Sequence, residues 1–197
     1  TVLNTEISIS KNNWIDKFYL DWSKKNFGPE AAPAIANIFA YLDKAGEPGN
    51  PGAIPQVSGW DSELDDGNGA PGAIMPNDEG SWGEAKSKYD FVDQLEKLRS
   101  QIRGNSNLER FDYWLKTMQS LKMMGEYGYI RYQFEELMRN ENYNEALTYR
   151  IRMATLFEQI MTLQIEKAFN ISDLGEIINL EILNWHQLME AKWDDKL

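Results

Sequence analysis

Apolar side chains recur at helical spacing along most of the chain. In the first such stretch, residues 13–26, they fall at i, i+1, i+4, i+5 and i+8, the pattern of one buried stripe on a helix. This stripe consists of Trp14, Ile15, Phe18, Tyr19 and Trp22. The same periodicity predicts helices over residues 30–44, 84–103, 108–139 and 143–169, and a last one from Ser172. The pattern therefore predicts an all-α fold, an antiparallel bundle of about five to six helices.

Glycine, proline and asparagine mark several predicted helix ends. Gly28 follows the first helix and can adopt the left-handed conformation of a C-cap, and Pro29 is tolerated in the first turn of the next helix. Asn107 is the predicted N-cap of the long helix 108–139. Residues 1–12 alternate instead of following a helical period, so we expect a linker or an edge strand there and a helical domain over residues 13–197.

The segment 46–83 has a different composition from the rest. It holds 9 of the 14 Gly, 5 of the 7 Pro, seven acidic residues and no Lys or Arg. A loop of this length is uncommon inside a compact domain, and such loops are usually functional or disordered. Because this one also contains Trp60 and Trp82, whose rings favour burial, we expect one long, ordered loop rich in Gly, Pro and Trp.

Composition and charge exclude several classes of function. The chain has 197 residues with a net charge of −11, which argues against nucleic acid and anionic membranes as partners. A hydrophobic content of 42% is too high for a disordered chain. Cysteine is absent, so disulfides, thiolate metal sites and cysteine nucleophiles are excluded. The chain begins at Thr1, which suggests a processed protein or a piece of a longer one.

Residues for catalysis are not singled out by any motif. His186 is the only histidine, and its place beside Trp185 fits an incidental helical histidine better than a general base or a metal ligand. Paired carboxylates for glycoside hydrolysis need set separations, and among 31 acidic residues nothing marks one pair. We therefore predict no catalytic residue in this chain, and expect that this domain alone is not the catalyst.

The acidic part of the loop partly matches a calcium-binding loop. Asp61, Glu63 and Asp65 place oxygen atoms at alternate positions, as the first ligands of such a loop do. The match then fails, because Asp66 stands where glycine is needed and Gly72 stands where a bidentate Glu is needed. Both a weak calcium site and a plain acidic turn remain open, and no other metal or cofactor is expected.

Six of the seven tryptophans fall into two groups. Four lie on apolar helix faces, where packing in the core explains them: Trp14, Trp22, Trp114 and Trp185. Trp60 and Trp82 lie in the loop, and an indole beside Asp61 offers a sugar both an apolar face and a hydrogen-bonding group. The alternative is that these two rings anchor the loop on the helices. Trp60, Asp61 and Trp82 are therefore the candidate substrate-binding residues.

Three segments resemble one known family. The run Trp22–Ala36 resembles the segment that follows the catalytic barrel in large bacterial polysaccharide-degrading glycoside hydrolases. The run Leu108–Thr117, LERFDYWLKT, resembles a helix of agarase-like enzymes of Bacteroidetes, and Asp173–Glu181 resembles a further segment of the same enzymes. The order and spacing of the three segments agree with the family, and together they span most of the chain.

The resemblance implies a helical accessory domain of an agarase-like glycoside hydrolase. On this basis the domain packs on the TIM-barrel catalytic domain of the same parent protein, which supplies the carboxylates, and the loop reaches toward the substrate. The expected ligand is a galactan-type polysaccharide or oligosaccharide, and the expected location is secreted or periplasmic in a bacterium. A neutral galactan suits the negative charge better than a sulfated one. The alternative is a protein-interaction or scaffold module without enzymatic function.

Overall fold

A computed structural model describes residues 11–43 and 82–167 of the chain. The described part is all α, as predicted, and holds no strand. Six α-helices follow in order: α1 Lys11–Phe27, α2 Ala32–Asp43, α3 Trp82–Ala85, α4 Asp90–Leu98, α5 Asn105–Arg139 and α6 Tyr143–Lys167. Short 3₁₀ segments flank α4 at Lys86–Tyr89 and Arg99–Gln101. Lys11 and Asn12, the end of the predicted linker or edge strand 1–12, lie in α1 instead. The rest of that segment, most of the loop 46–83 and the helix from Ser172 lie outside the described residues.

The helix predicted over residues 84–103 is divided into four segments, two α-helical and two 3₁₀. Its central piece is α4, an amphipathic helix that buries Phe91, Val92 and Leu95. Asp90 and Asp93 lie in the first turn of α4, where negative charge stabilises a helix N-terminus. These two acids therefore favour the start of a new helix at Asp90. The apolar spacing continues across this point, so it does not predict the break.

The chain divides into two compact units, the first comprising Thr1–Ile54 and Lys88–Leu115. In its described part, α1 packs on α2, and α2 packs on α4. The core contains the fully buried Phe27, Ile35, Val92, Leu95 and Phe111. Edge-to-face rings join the helices, with centroids 5.7 Å apart for Phe27 and Phe111 and 5.8 Å apart for Trp22 and Trp114. Aromatic packing therefore holds the first unit together.

The turn between α1 and α2 confirms the predicted glycine cap. Gly28 has a φ of 92°, in the left-handed region that a side chain resists. Its N–H donates to the carbonyl of Lys24 at 3.2 Å, the bond of a simple left-handed C-cap. The cap ends α1 and lets the chain reverse into α2.

The prediction that Asn107 caps α5 is wrong. The helix begins at Asn105, and the N–H of Leu108 donates to the carbonyl of Gly104 at 3.0 Å, so Gly104 occupies the cap position. Asn107 instead lies within the first turn, where its amide donates to the carbonyl of Arg103 at 2.9 Å and accepts from Arg110 at 2.7 Å. A bidentate pair of Arg99 with Asp112, both contacts at 2.8 Å, joins the 3₁₀ segment after α4 to α5.

The second unit comprises Pro55–Ser87 and Lys116–Leu197, and its described centre is a hairpin of α5 and α6. The two helices are antiparallel, because Glu126 pairs with Arg152 at 2.6 Å and Lys116 pairs with Glu166 at 3.0 Å. A buried cluster includes Tyr127, Phe134, Ala146, Met153 and Leu156, and it extends from the Glu126–Arg152 pair toward the turn that joins the helices. The hairpin is thus closed by apolar contacts, with ion pairs on its surface.

One side of α6 differs from the prediction. The apolar periodicity of residues 143–169 predicts that Leu147 and Ile151 lie on the buried face of this helix, but they are 45% and 60% exposed. The buried face is instead centred on Ala146, Met153 and Phe157, about a third of a turn away. Tyr143 lies beside Leu147 and Ile151 on the helix and is also exposed, so these three residues form an apolar α6 stripe on the surface.

Candidate functional site

The described residues include only part of the predicted sugar site. Trp60 and Asp61 lie outside them, as do Glu63 and Asp65 of the calcium alternative and His186. Trp82 is described: it begins α3, and its half-buried ring lies 5.9 Å from the ring of the buried Tyr129 on α5, with an angle of 51° between the planes. The structure therefore places Trp82 on the second unit, and its role in sugar binding stays a prediction.

A different set of aromatic rings is exposed on α1. Trp14 is 65% exposed and Phe18 is 48% exposed, so the expectation that Trp14 lies in the core is wrong. Their rings are nearly parallel, with centroids 5.7 Å apart and 18° between the planes. Full burial of one such side chain stabilises a folded protein by about 1.5–3 kcal/mol. This chain does not gain that stabilisation in full at Trp14 and Phe18, because both remain exposed. Two neighbouring exposed aromatic rings are therefore a candidate contact surface.

These rings border a shallow groove along α1. Its volume is about 440 Å³, and the residues that line it are Trp14, Lys17, Phe18, Asp21, Trp22 and Lys25. We call this surface the α1 groove. Ligand pockets for small molecules commonly have volumes of about 300–1,000 Å³. The α1 groove is more open than such pockets, because its described lining residues all belong to one helix, so it is a depression on the surface of α1.

Trp22 fixes one side of the α1 groove. Unlike Trp14, it is half-buried, and its ring meets Phe39 at 5.0 Å and Trp114 at 5.8 Å, both edge to face. The prediction that Trp22 and Trp114 lie in the core is thus confirmed only in part. Both rings pack on other aromatic rings, but both are half-buried. A groove wall held in this way has few alternative conformations, which lowers the entropy cost of binding.

Three charged side chains lie among the aromatic rings of the α1 groove. Lys17, Asp21 and Lys25 are exposed and follow one another at the same four-residue interval as Trp14, Phe18 and Trp22. In an α-helix they fall within about 60° of Trp14 around the axis. This arrangement is the sequence signal for an exposed Trp14, because a core residue is not surrounded by charges on its own face.

The end of α2 lies close to α1. Burial raises the pKa of the Tyr19 hydroxyl, and the negative charge of Asp43, the last residue of α2, raises it further. The ring of Tyr19 also stacks on Phe39 at 6.1 Å with 26° between the planes. These contacts hold α1 in place on the side away from Trp14.

Residues 11–43 and 82–167 contain no cluster of acidic residues or histidine that is placed to hold a metal ion. Within the same ranges, no helix is both long and apolar enough to cross a membrane.

Comparisons with known proteins return no match. No protein-family model, no curated protein and no solved structure is significantly similar to this chain.

Proposed function

We propose that this chain is a helical accessory domain of an agarase-like glycoside hydrolase. In this proposal the domain packs on the catalytic barrel of its parent protein, in the secreted or periplasmic space of a bacterium. It lines the cleft for a neutral, galactan-type polysaccharide, and the barrel supplies the catalytic carboxylates. The proposal starts from the sequence resemblance and gains support from the packing of the first unit.

The observation that carries the proposal is the contact between two of the resembling segments. Trp22–Ala36 and Leu108–Thr117 lie about 80 residues apart in sequence, yet Phe27 packs on Phe111 and Trp22 packs on Trp114. The side chain of Arg110 also donates to the carbonyl of Asn26 at 3.1 Å. Residues that resemble the same family thus form one core, as expected if the resemblance reflects a shared domain.

The surface of the first unit supports contact with a polysaccharide. Sugar rings present apolar C–H faces together with hydroxyl groups, so a binding site needs aromatic surface beside hydrogen-bonding side chains. The α1 groove combines both, with Trp14 and Phe18 next to Asp21. The net charge of −11 favours an uncharged chain over a heavily sulfated one.

Titration of the chain with agaro-oligosaccharides tests the proposed function. Tryptophan fluorescence reports contact with any of the 7 Trp. We expect saturable quenching with neutral agaro-oligosaccharides and weaker binding of sulfated galactan oligosaccharides of equal length. Trp60→Ala and Trp82→Ala show whether the predicted loop residues take part. Preference for the sulfated ligand, or no quenching at millimolar concentration, contradicts the proposal.

The second candidate is a protein-interaction or scaffold module. The α6 stripe favours it, since Leu147 and Ile151 are aliphatic and offer no ring face to a sugar. Exposed apolar side chains of this kind are typical of surfaces that another protein covers. The double variant Leu147→Ser, Ile151→Ser separates the two candidates, because it weakens protein association and leaves sugar titration unchanged.

A further inference from the structure

We propose that a second copy of this chain covers the α6 stripe, so that two α6 helices pack antiparallel in a homodimer. This inference goes beyond the proposed function and does not depend on it. Its basis is that the exposed side chains of α6 are arranged in a self-complementary way about one central residue.

All the large hydrophobic side chains that the described part of the second unit exposes lie on one face of α6. Ile165, which is 44% exposed, joins Tyr143, Leu147 and Ile151 of the α6 stripe. At 3.6 residues per turn, the four positions fall within about 80° around the helix axis and extend over about 33 Å along it. We call these four residues the α6 face. A continuous apolar surface of this kind marks a contact with another protein surface.

The side chains of α6 are placed symmetrically about Ala154. Tyr143 and Ile165 each lie eleven residues from Ala154, and Arg150 and Glu158 each lie four residues from it, on opposite sides. In a twofold symmetric contact, the same surface patch is used by both copies. If the twofold axis passes Ala154 and the helices are antiparallel, Tyr143 of one copy meets Ile165 of the other. By the same symmetry, Arg150 meets Glu158 twice.

The charges favour a second copy as the occupant. Glu158 is exposed within the α6 face, and Arg150 is half-buried at its edge. Covering a carboxylate with a surface that offers no partner is costly, whereas a guanidinium pairs with it in a charge-assisted hydrogen bond. In a parallel arrangement Glu158 would face its own counterpart, and like charges across an interface are unfavourable. Charge complementarity therefore favours the antiparallel direction.

The C-terminal part of the same chain is a less suitable occupant. Residues 168–191 contain four acidic residues and no Lys or Arg. Laid against the α6 face, they would bring further negative charge toward Glu158 instead of a cation, which is unfavourable. A second copy supplies Arg150 for this position.

The centre of the α6 face permits close packing. Ala154 is small and half-buried, so two α6 helices can approach to the shorter end of the usual 8–10 Å between helix axes. A single helix face covers less than the standard protein interface of about 800 Å² per partner. We therefore expect a weak dimer, with a dissociation constant in the micromolar range.

Charge reversal in the full chain tests this inference. We expect Arg150→Glu and Glu158→Arg each to raise the dimer dissociation constant at least about tenfold, because both ion pairs become repulsive. Sedimentation velocity over a range of protein concentrations is the measurement. An equimolar mixture of the two variants should regain the wild-type affinity, because opposite charges then face each other at both positions. The matched control is Lys24→Glu, which makes the same charge change at an exposed position on α1.

Cysteine cross-linking tests the position of the twofold axis. The chain contains no cysteine, so Ala154→Cys introduces a single thiol at the proposed axis. A disulfide forms only where the two Cα atoms come within about 7 Å, so mild oxidation should yield a covalent dimer. Gln159→Cys is the control, since this exposed residue lies about 140° away from Ala154 around α6 and should cross-link far less.

Three results would overturn the inference. A wild-type chain that stays monomeric up to millimolar concentration shows that something else covers the α6 face, either residues 168–197 or a protein of different sequence. A mixture of Arg150→Glu and Glu158→Arg that does not regain dimerisation rules out the proposed pairing, and equal cross-linking of Ala154→Cys and Gln159→Cys rules out the axis. Each of these results leaves the proposed function standing, because oligosaccharide titration measures that function separately.

Discussion

Glu141 holds the backbone conformation that ends α5. Its φ of 58° is the one positive value among the described residues other than glycine. The N–H of Asn142 donates to the carbonyl of Leu137 at 2.9 Å, and that of Glu141 to the carbonyl of Met138 at 3.2 Å. These two bonds define a Schellman motif, in which glycine usually occupies the position of Glu141. The turn of the hairpin therefore carries a strain that one substitution relieves.

Glu141→Gly should stabilise the chain. A side chain in the left-handed conformation costs about 1–2 kcal/mol, and the greater freedom of glycine in the unfolded chain offsets part of this gain. We expect a net increase of about 0.5–1 kcal/mol in the free energy of unfolding, measured by urea denaturation. The matched control is Asn140→Gly, one residue earlier and without a positive φ, which should destabilise the helix end. Equal gains in both variants would contradict this account of the turn.

Tyr19 links stability to alkaline pH. Its pKa is raised above the ordinary value of 10.0 by burial and by Asp43. A group whose pKa is raised in the folded state stabilises that state fully below its unfolded pKa and loses this contribution as the pH rises through its folded pKa. We expect Tyr19→Phe to lose less stability than the wild type above about pH 10. Urea denaturation at pH 8 to 11 is the measurement, and parallel profiles would refute the role of Tyr19.

At the scale of elements, the aromatic contact between α1 and α5 determines the first unit. Phe111 is 1% exposed and meets Phe27, whereas Phe18 on α1 is 48% exposed. Phe111→Ala should therefore cost about 3–5 kcal/mol, because it leaves a cavity between two helices. Phe18→Ala, the same chemical change at a surface position, should cost less than about 1 kcal/mol. Equal losses in the free energy of unfolding of the two variants would contradict the burial of Phe111 in the core.

The positions of the helices could be predicted from the sequence better than their buried faces. Periodicity locates α1, α2, α5 and α6 to within a few residues, because an apolar stripe is required wherever a helix packs. It does not tell which half of a wide stripe is covered. On α1, Trp14 and Ile15 are adjacent, yet Ile15 is 7% exposed and Trp14 is 65% exposed. That difference depends on the direction from which α2 approaches.

The candidate site shows the same limit. The sequence emphasises Trp60 and Trp82, because tryptophan in a Gly/Pro-rich loop is conspicuous. The exposed rings of α1 lie within an ordinary amphipathic pattern, and only the neighbouring charges Lys17, Asp21 and Lys25 distinguish them. Their exposure could not be predicted from the sequence, because it depends on which face of α1 is covered by α2.

At the scale of the whole molecule, the two units carry different surfaces. The first unit presents the α1 groove, with aromatic rings and charges, and the second presents the α6 stripe, with Leu147 and Ile151. In the proposed function the first surface would contact the polysaccharide and the second would contact a protein partner. An accessory domain that contacts both a polysaccharide and a catalytic partner requires one surface of each kind.

The most direct test of the proposed function is the choice between neutral and sulfated galactans. Isothermal titration calorimetry with neutral and sulfated oligosaccharides of equal length measures the affinity for each ligand. Repeating it at a second salt concentration measures how much of that affinity is electrostatic. The account predicts that the neutral oligosaccharide binds more tightly and that salt changes its affinity little. Tighter binding of the sulfated oligosaccharide, or no heat from either ligand at millimolar concentration, would contradict it.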